Sequence, residues 1–143
     1  MKISDVIAGR QASDVITARV DAPVRDAVTV LAQKRIGALP VLDGDEVVGI
    51  FSERDVIYRM ASEGAVCLDR KIADVMTSPA ITVERETMVD QALGLMTKRR
   101  IRHLPVVDET GMCGFISIGD LVKSRMDEVQ HEADAMRDYI AHA

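Results

Sequence analysis

Two stretches of this 143-residue chain carry residue types that could hold a ligand. One is a repeated Gly-x-x-Ser-x-x-Asp, which reads Gly49-Ile-Phe-Ser52-Glu-Arg-Asp55 and again Gly114-Phe-Ile-Ser117-Ile-Gly-Asp120. Backbone N–H groups at the start of a helix, with a Ser hydroxyl beside them, attract a phosphate. An Asp one turn further on can accept hydrogen bonds from both hydroxyls of a ribose, as an acidic residue does in dinucleotide-binding folds. The same spacing also reads as a capping box: Ser at the N-cap and an acid three residues later stabilise a helix by ~1 kcal/mol without any ligand. From the pattern alone, the cap is the simpler account.

The second stretch is Lys98-Arg99-Arg100-Ile101-Arg102-His103-Leu104-Pro105. Cations at the end of a helix stabilise it by themselves, which accounts for Lys98 and Arg99. Arg102 and His103 come later, where a strand begins and a side chain can reach over the sheet edge. Gly37 and Ala38 stand in the equivalent places of the first copy. Capping alone does not predict that asymmetry, which points to one cleft better suited to phosphate, the one in the second copy.

The elements that must position these residues follow from an internal repeat. A shift of 65 positions aligns residues 15–58 with 80–123 without a gap. Ile16-Thr17 falls on Ile81-Thr82, Arg35-Ile36 on Arg100-Ile101, and Leu39-Pro40-Val41 on Leu104-Pro105-Val106. Upstream, Ile3-x-Asp5-Val6 matches Ile72-x-Asp74-Val75 if the first copy carries four extra residues. Apolar residues at Val24, Ala27, Val28 and Leu31, and at Val89, Ala92, Leu93 and Met96, predict one buried helical stripe per copy. Pro23 suits a first helical position. Runs 38–42 and 47–51 around the turn Asp43–Glu46 predict a hairpin, repeated at 104–107 and 112–116. A second helix follows Ser52 and Ser117, and a short strand at Val15-Ile16-Thr17 or Ala80-Ile81-Thr82 opens each unit. The fold class is therefore α/β (α+β), β-α-β-β-α twice. A unit of about 60 residues buries too little surface to be stable alone, so the halves are expected to form one body across a pseudo-twofold axis.

The totals narrow the function classes. Apolar residues make up 48% of the chain, enough for a real core. A formal charge of −5 argues against binding nucleic acid or anionic membrane broadly, and the basic stretch lacks interleaved aromatics. No apolar run could span a bilayer, the start does not resemble a signal peptide, and a cytoplasmic protein is expected. Cys67 and Cys113 are too few for a disulfide framework and lack metal-site spacing; Cys113, aligned with Val48 in a strand, reads as core. No P-loop, no HExxH and no nucleophile–base pair is present, so an enzyme is not expected.

The doubled unit, with Leu-Pro-Val before an Asp turn and Gly-x-x-Ser-x-x-Asp after it, resembles a tandem pair of CBS domains (the cystathionine β-synthase regulatory or Bateman module). The resemblance runs from about Ile3 to Arg125. Arg-His-Leu-Pro-Val followed by Ile-Ser-Ile-Gly-Asp-Leu-Val resembles small stand-alone bacterial proteins of this kind. It implies a first repeat over 1–65, a second over 66–125 and a helical extension over 126–143. It also implies regulatory binding of AMP, ATP, NAD or another adenosyl ligand such as S-adenosylmethionine, in clefts between the paired units. By the resemblance, Asp55 and Asp120 hold ribose, and Ser52, Ser117, Arg102 and His103 face phosphate. Thr17, Ala18, Ala38, Leu39, Thr82, Val83, Leu104 and His103 line the base, often through backbone groups. A homodimer is implied as well, with a protein target that the residues do not name. The alternative is a homodimeric interaction scaffold with vestigial clefts.

From Leu121 onward there is no Gly or Pro, and Val122, Met126, Val129, Ala133, Met136 and Ile140 form one apolar seam. The spacing is compatible with a short coiled coil. Packing of the seam on its own domain or on a dimer partner is the preferred expectation, because the seam lasts under three heptads.

Overall fold

In chain order the computed structural model, which describes residues 1–142, has α1 (Ile3–Val6), a 3-10 turn (Ala12–Asp14), β1 (Ala18–Arg19), α2 (Val24–Lys34), β2 (Ala38–Asp43), β3 (Glu46–Ser52) and α3 (Glu53–Glu63). A second 3-10 segment (Gly64–Asp69) leads to α4 (Ile72–Val75), β4 (Val83–Glu84), α5 (Val89–Arg99), β5 (His103–Asp108), β6 (Gly111–Ser117) and α6 (Ile118–Ala141). Each repeat holds one three-stranded sheet, β1-β2-β3 or β4-β5-β6, parallel at the first pairing and antiparallel in the hairpin. The registers coincide: Ala38 pairs with Ser52 as His103 pairs with Ser117.

The expected helical stripes form. Val24, Ala27 and Leu31, and Val89, Ala92 and Met96, are buried, with Val28 and Leu93 packed against the same cores. Both helices end alike. Arg35 and Arg100 take left-handed conformations (φ 53° and 55°), and Ile36 and Ile101 N–H donate back to Leu31 and Met96 carbonyls at 3.1 and 3.0 Å. This is a Schellman ending with Arg in the place glycine usually takes.

Three details differ from the sequence expectation. The opening strands begin at Ala18 and Val83, so residues 15–17 and 80–82 only approach the sheets. Pro23 is the N-cap of α2, extended at ψ 146°, and the helix starts one residue later. Of the two packings expected for the α6 seam, the one on its own domain is confined to the start of the helix: Met126, Met136 and Ile140 are 67%, 59% and 67% exposed.

The larger finding concerns the leading segments. Ile3 and Ile7 are buried in the core of the second repeat, among Val83, Val89, Leu104 and Leu121. Ile72 and Val75 are buried in the core of the first, among Val24, Leu39 and Phe51. The units that repeat are thus not the units that pack, and neither core is complete without a segment from the other copy. Hydrogen bonds fasten each crossing. Ile3 N–H donates to Thr87 O at 2.8 Å, Ile72 N–H to Ala22 O at 2.8 Å, and Ile50 and Thr77 exchange a pair at 2.9 Å.

Close approach at the last of these needs a glycine. A Cβ on Gly49 would lie 2.8 Å from the Thr77 carbonyl oxygen and 2.7 Å from Met76 Sδ. Gly49→Ala is expected to cost about 1–3 kcal/mol of stability by overpacking. Gly94→Ala, on the open face of α5 with nothing within 4 Å, is expected to add up to about 1 kcal/mol. Chemical denaturation of the two variants checks both signs.

Candidate functional site

Ser52 and Ser117 cap α3 and α6 in the same way. The Asp55 and Asp120 N–H groups donate to the Ser oxygens at 3.3 and 3.1 Å, and the Ser52 and Ser117 N–H groups donate to Oδ2 of the Asp residues at 2.9 Å. The capping box is real in both copies. It fixes each carboxylate at the end of a hairpin, facing a cleft between the two repeats.

One cleft, of about 360 Å³, is lined by Ser52, Asp55, Arg54 and Ile50 from the first repeat and by Thr77, Ile81, Arg100 and Arg102 from the second. The other, of about 300 Å³, is lined by Ser117, Asp120 and Phe115 from the second repeat and by Arg10, Val15, Ile16 and Ile36 from the first. Ala38 and His103 border both. These volumes are at the lower end of the range for small-molecule sites.

The crossing reverses the expected asymmetry. Arg102 belongs to the second repeat but lines the cleft of the first repeat's Asp55, together with Arg100 and Arg54. The cleft on Asp55 therefore has three arginines among its lining residues, with Glu53 the opposing acidic residue beside Asp55. The cleft on Asp120 has Arg10, with Asp14 and Asp120 opposing. The physical reason is the pseudo-twofold: the start of β5 faces across it, toward the other repeat's hairpin.

The base-lining expectations divide by strand alternation. Ala38 and His103 face the clefts, so the next residues, Leu39 and Leu104, turn into the cores and are 1% and 0% exposed. Val83 is also buried in a core, and Ala18 packs against one. Thr17 and Thr82 are exposed and line neither cleft; Val15, Ile16 and Ile81 take the walls instead. Cys113, expected in the core, packs against that of the second repeat from a half-buried position that also borders the Asp120 cleft, and burial pushes its thiol up, away from the reactive thiolate.

Three side chains at the clefts had no motif to announce them. Thr77 Oγ1 donates to Asp55 Oδ1 at 2.9 Å. Arg54 Nη1 donates to the Arg100 carbonyl at 3.3 Å. Arg10 Nη2 and Nη1 donate to Asp120 Oδ1 and Oδ2 at 2.9 and 3.3 Å. The one signal for Arg10 was the four extra residues of the first copy. Burial pushes the Asp120 carboxyl up, but hydrogen bonds from Arg10 and Ser117 and the Arg10 charge outweigh it and hold the group below the ordinary carboxylate range. Their side chains are 46% and 28% exposed, so this ion pair contributes at most about 1 kcal/mol.

His103 stacks on Phe115, ring centres 5.4 Å apart. Burial lowers its pKa from 6.5, against the pull of the Asp120 and Glu53 carboxylates, so it stands between the clefts as a neutral imidazole. The sign of its linkage is definite. An unfolded chain takes up this proton near pH 6.5 and the folded chain only lower, so stability is lost as pH falls below 6.5. His103→Gln is expected to flatten that loss, measured by urea denaturation from pH 7.5 down.

The chain as a whole is similar to a set of known proteins. The CBS domain family matches residues 3–62 and again 72–127. The mitochondrial CBS domain-containing protein CBSX3 of Arabidopsis thaliana is 39% identical over 84% of this chain, which spans 61% of the length of CBSX3. The crystal structure of the CBS-domain protein ATU1752 from Agrobacterium tumefaciens superposes with a TM-score of 0.81 at 34% identity, over 87% of this chain and 99% of that one. The CBS domain pair of MJ0100, solved in complex with 5-methylthioadenosine and S-adenosyl-L-methionine, gives 0.73 at 25% identity over 86% and 98%.

Proposed function

Because the chain belongs to the CBS-domain family as a tandem pair, we propose that it is a non-catalytic regulatory module that binds an adenine nucleotide or adenosyl ligand in the two clefts between its repeats. The observation that carries this reading is the pairing, in each cleft, of a capped Asp with an apolar wall from the other repeat. Asp55 faces Ile81, and Asp120 faces Ile16. The carboxylate suits a ribose diol, and the apolar wall suits the flat base between aliphatic side chains. The complex of MJ0100 with two adenosyl compounds supports the ligand class.

In this reading the clefts differ in how many cationic residues line them. Arg54, Arg100 and Arg102 give the Asp55 cleft the charge for a phosphate, as in AMP, ATP or NAD. Ser52 and Ser117 serve as caps first, with their helix N-termini turned toward the tail. Binding that spans both repeats would favour one arrangement of the halves over another, which is what a sensor needs.

A second observation favours self-association within the same reading. α6 carries its apolar seam into solvent, and Ile57, Tyr58 and Met60 are exposed on α3. Surface of this kind suits a second copy, and a homodimer is the form we propose, with or without ligand. The scaffold alternative keeps this dimer and dispenses with the clefts.

Titration calorimetry with AMP, ATP, NAD and S-adenosylmethionine separates the two. Binding by one or more of these, lost in Asp55→Ala/Asp120→Ala while the dimer persists in sedimentation, is the expected result. No heat from any of them at millimolar concentration, with folded protein, would overturn the sensor and leave the scaffold. Arg102→Ala is expected to weaken AMP about tenfold more than adenosine at the Asp55 cleft, the scale of one charge-assisted hydrogen bond. Equal weakening would remove Arg102 from the phosphate.

A further inference from the structure

Asp55 and Asp120 are built alike but partnered differently, and the difference arises where the first repeat is longer. Between α1 and β1, Gly9 takes φ 81° and turns the chain, and Arg10 N–H donates to Ile7 O at 3.0 Å. From there the Arg10 guanidinium spans both oxygens of Asp120, at 2.9 and 3.3 Å. In the other cleft a neutral hydroxyl, Thr77 Oγ1, stands on Asp55 Oδ1 at 2.9 Å.

Each carboxylate oxygen offers two lone-pair positions. Oδ2 of Asp120 accepts the Ser117 N–H at 2.9 Å and Arg10 Nη1 at 3.3 Å, so it is saturated. Oδ1 accepts Arg10 Nη2 and has one position left. A ribose diol that engages both oxygens must therefore expel the guanidinium. The ion pair is half-exposed, so its loss costs no more than about fivefold in affinity. The expelled cation then needs a partner. Asp14, the other carboxylate in this cleft, accepts only the Gln11 N–H at 3.3 Å but is exposed, so a pair with it gains little in water.

We propose that Arg10 makes the Asp120 cleft selective for an adenosyl ligand with an anionic tail, a 5′-phosphate, over the uncharged nucleoside. The proposal rests on the nucleotide reading above. A phosphate gives the displaced guanidinium a bidentate partner on the same ligand. An uncharged nucleoside breaks the Arg10–Asp120 pair and returns nothing to it. Discrimination thus comes from a penalty on the wrong ligand as well as a contact with the right one.

The test is calorimetric titration of adenosine and AMP into the full chain carrying Asp55→Ala and Arg102→Ala, which confines binding to the Asp120 cleft. With Arg10 present, AMP is expected to bind about tenfold more tightly than adenosine. Adding Arg10→Ala is expected to tighten adenosine, weaken AMP and remove the preference, whereas Arg10→Lys keeps part of it as a point charge. Melting curves without ligand report folding, and Arg10→Gln in the otherwise unaltered chain repeats the comparison if the triple variant does not fold. An unchanged preference, or an equal change for both ligands, overturns the role of Arg10 and leaves the nucleotide reading standing. If neither ligand binds this variant, or if Asp120→Ala leaves binding unchanged, the Asp120 cleft is not a nucleotide site and the selectivity fails, while titration of the unaltered chain decides the nucleotide reading separately.

Discussion

Ile3 and Ile7 lie in the core of the second repeat, and Ile72 and Val75 in the core of the first. A three-stranded sheet with two helices leaves one side of its core open, because a unit of about 60 residues has too little chain to close it. Here each repeat closes the other with its leading segment. The exchange ties the halves at two places, and each tie is backed by backbone hydrogen bonds, from the first segment to Arg85, Thr87 and Val89 and from the second to Val20, Ala22 and Ile50. Losing either segment would open a core as well as an interface.

The clefts follow from that exchange. Once the leading segments cross, residues 10–16 lie beside the hairpin of the second repeat and residues 77–81 beside that of the first. Each cleft thus takes its carboxylate from one repeat and its apolar wall from the other. A ligand held there touches both halves, which couples binding to the arrangement of the whole body. Ala38 and His103, at equivalent places, form the partition between the clefts. The small residue leaves room on its side, and the imidazole fills the other by stacking on Phe115.

Duplication would make the two clefts identical, and the departures from identity are where their chemistries part. Arg100 and Arg102 act across the axis and so enrich the cleft of the opposite repeat. Arg100 also keeps a left-handed backbone, as Arg35 does in the other copy, so the charge at that position is layered on a helix ending both copies share. The four-residue difference between α1 and β1 brings a cation to Asp120 where Thr77 supplies a hydroxyl to Asp55.

Periodicity, the Leu-Pro-Val strands, the Asp turns and the Gly-x-x-Ser-x-x-Asp caps were legible because each is a local matter. A helix stripe, a hairpin and a capping box are set by residues within a few positions of one another. Ser52, Asp55, Ser117 and Asp120 could be named as candidates on that basis, and so could the asymmetry between Arg102-His103 and Gly37-Ala38. Which repeat's cleft Arg102 would serve was not legible, because that depends on the direction of β5 across the axis. The burial of the Leu39, Leu104 and Val83 side chains in the cores depends on which strand face meets the exchanged helices. Arg10 on Asp120 joins residues 110 positions apart through a segment without a motif. Short-range sterics and hydrogen bonding dictate the elements and the capped carboxylates, so both could be read from neighbouring residues alone. What stands opposite each carboxylate was set by folding, because burial of two incomplete cores sends each leading segment to the other repeat.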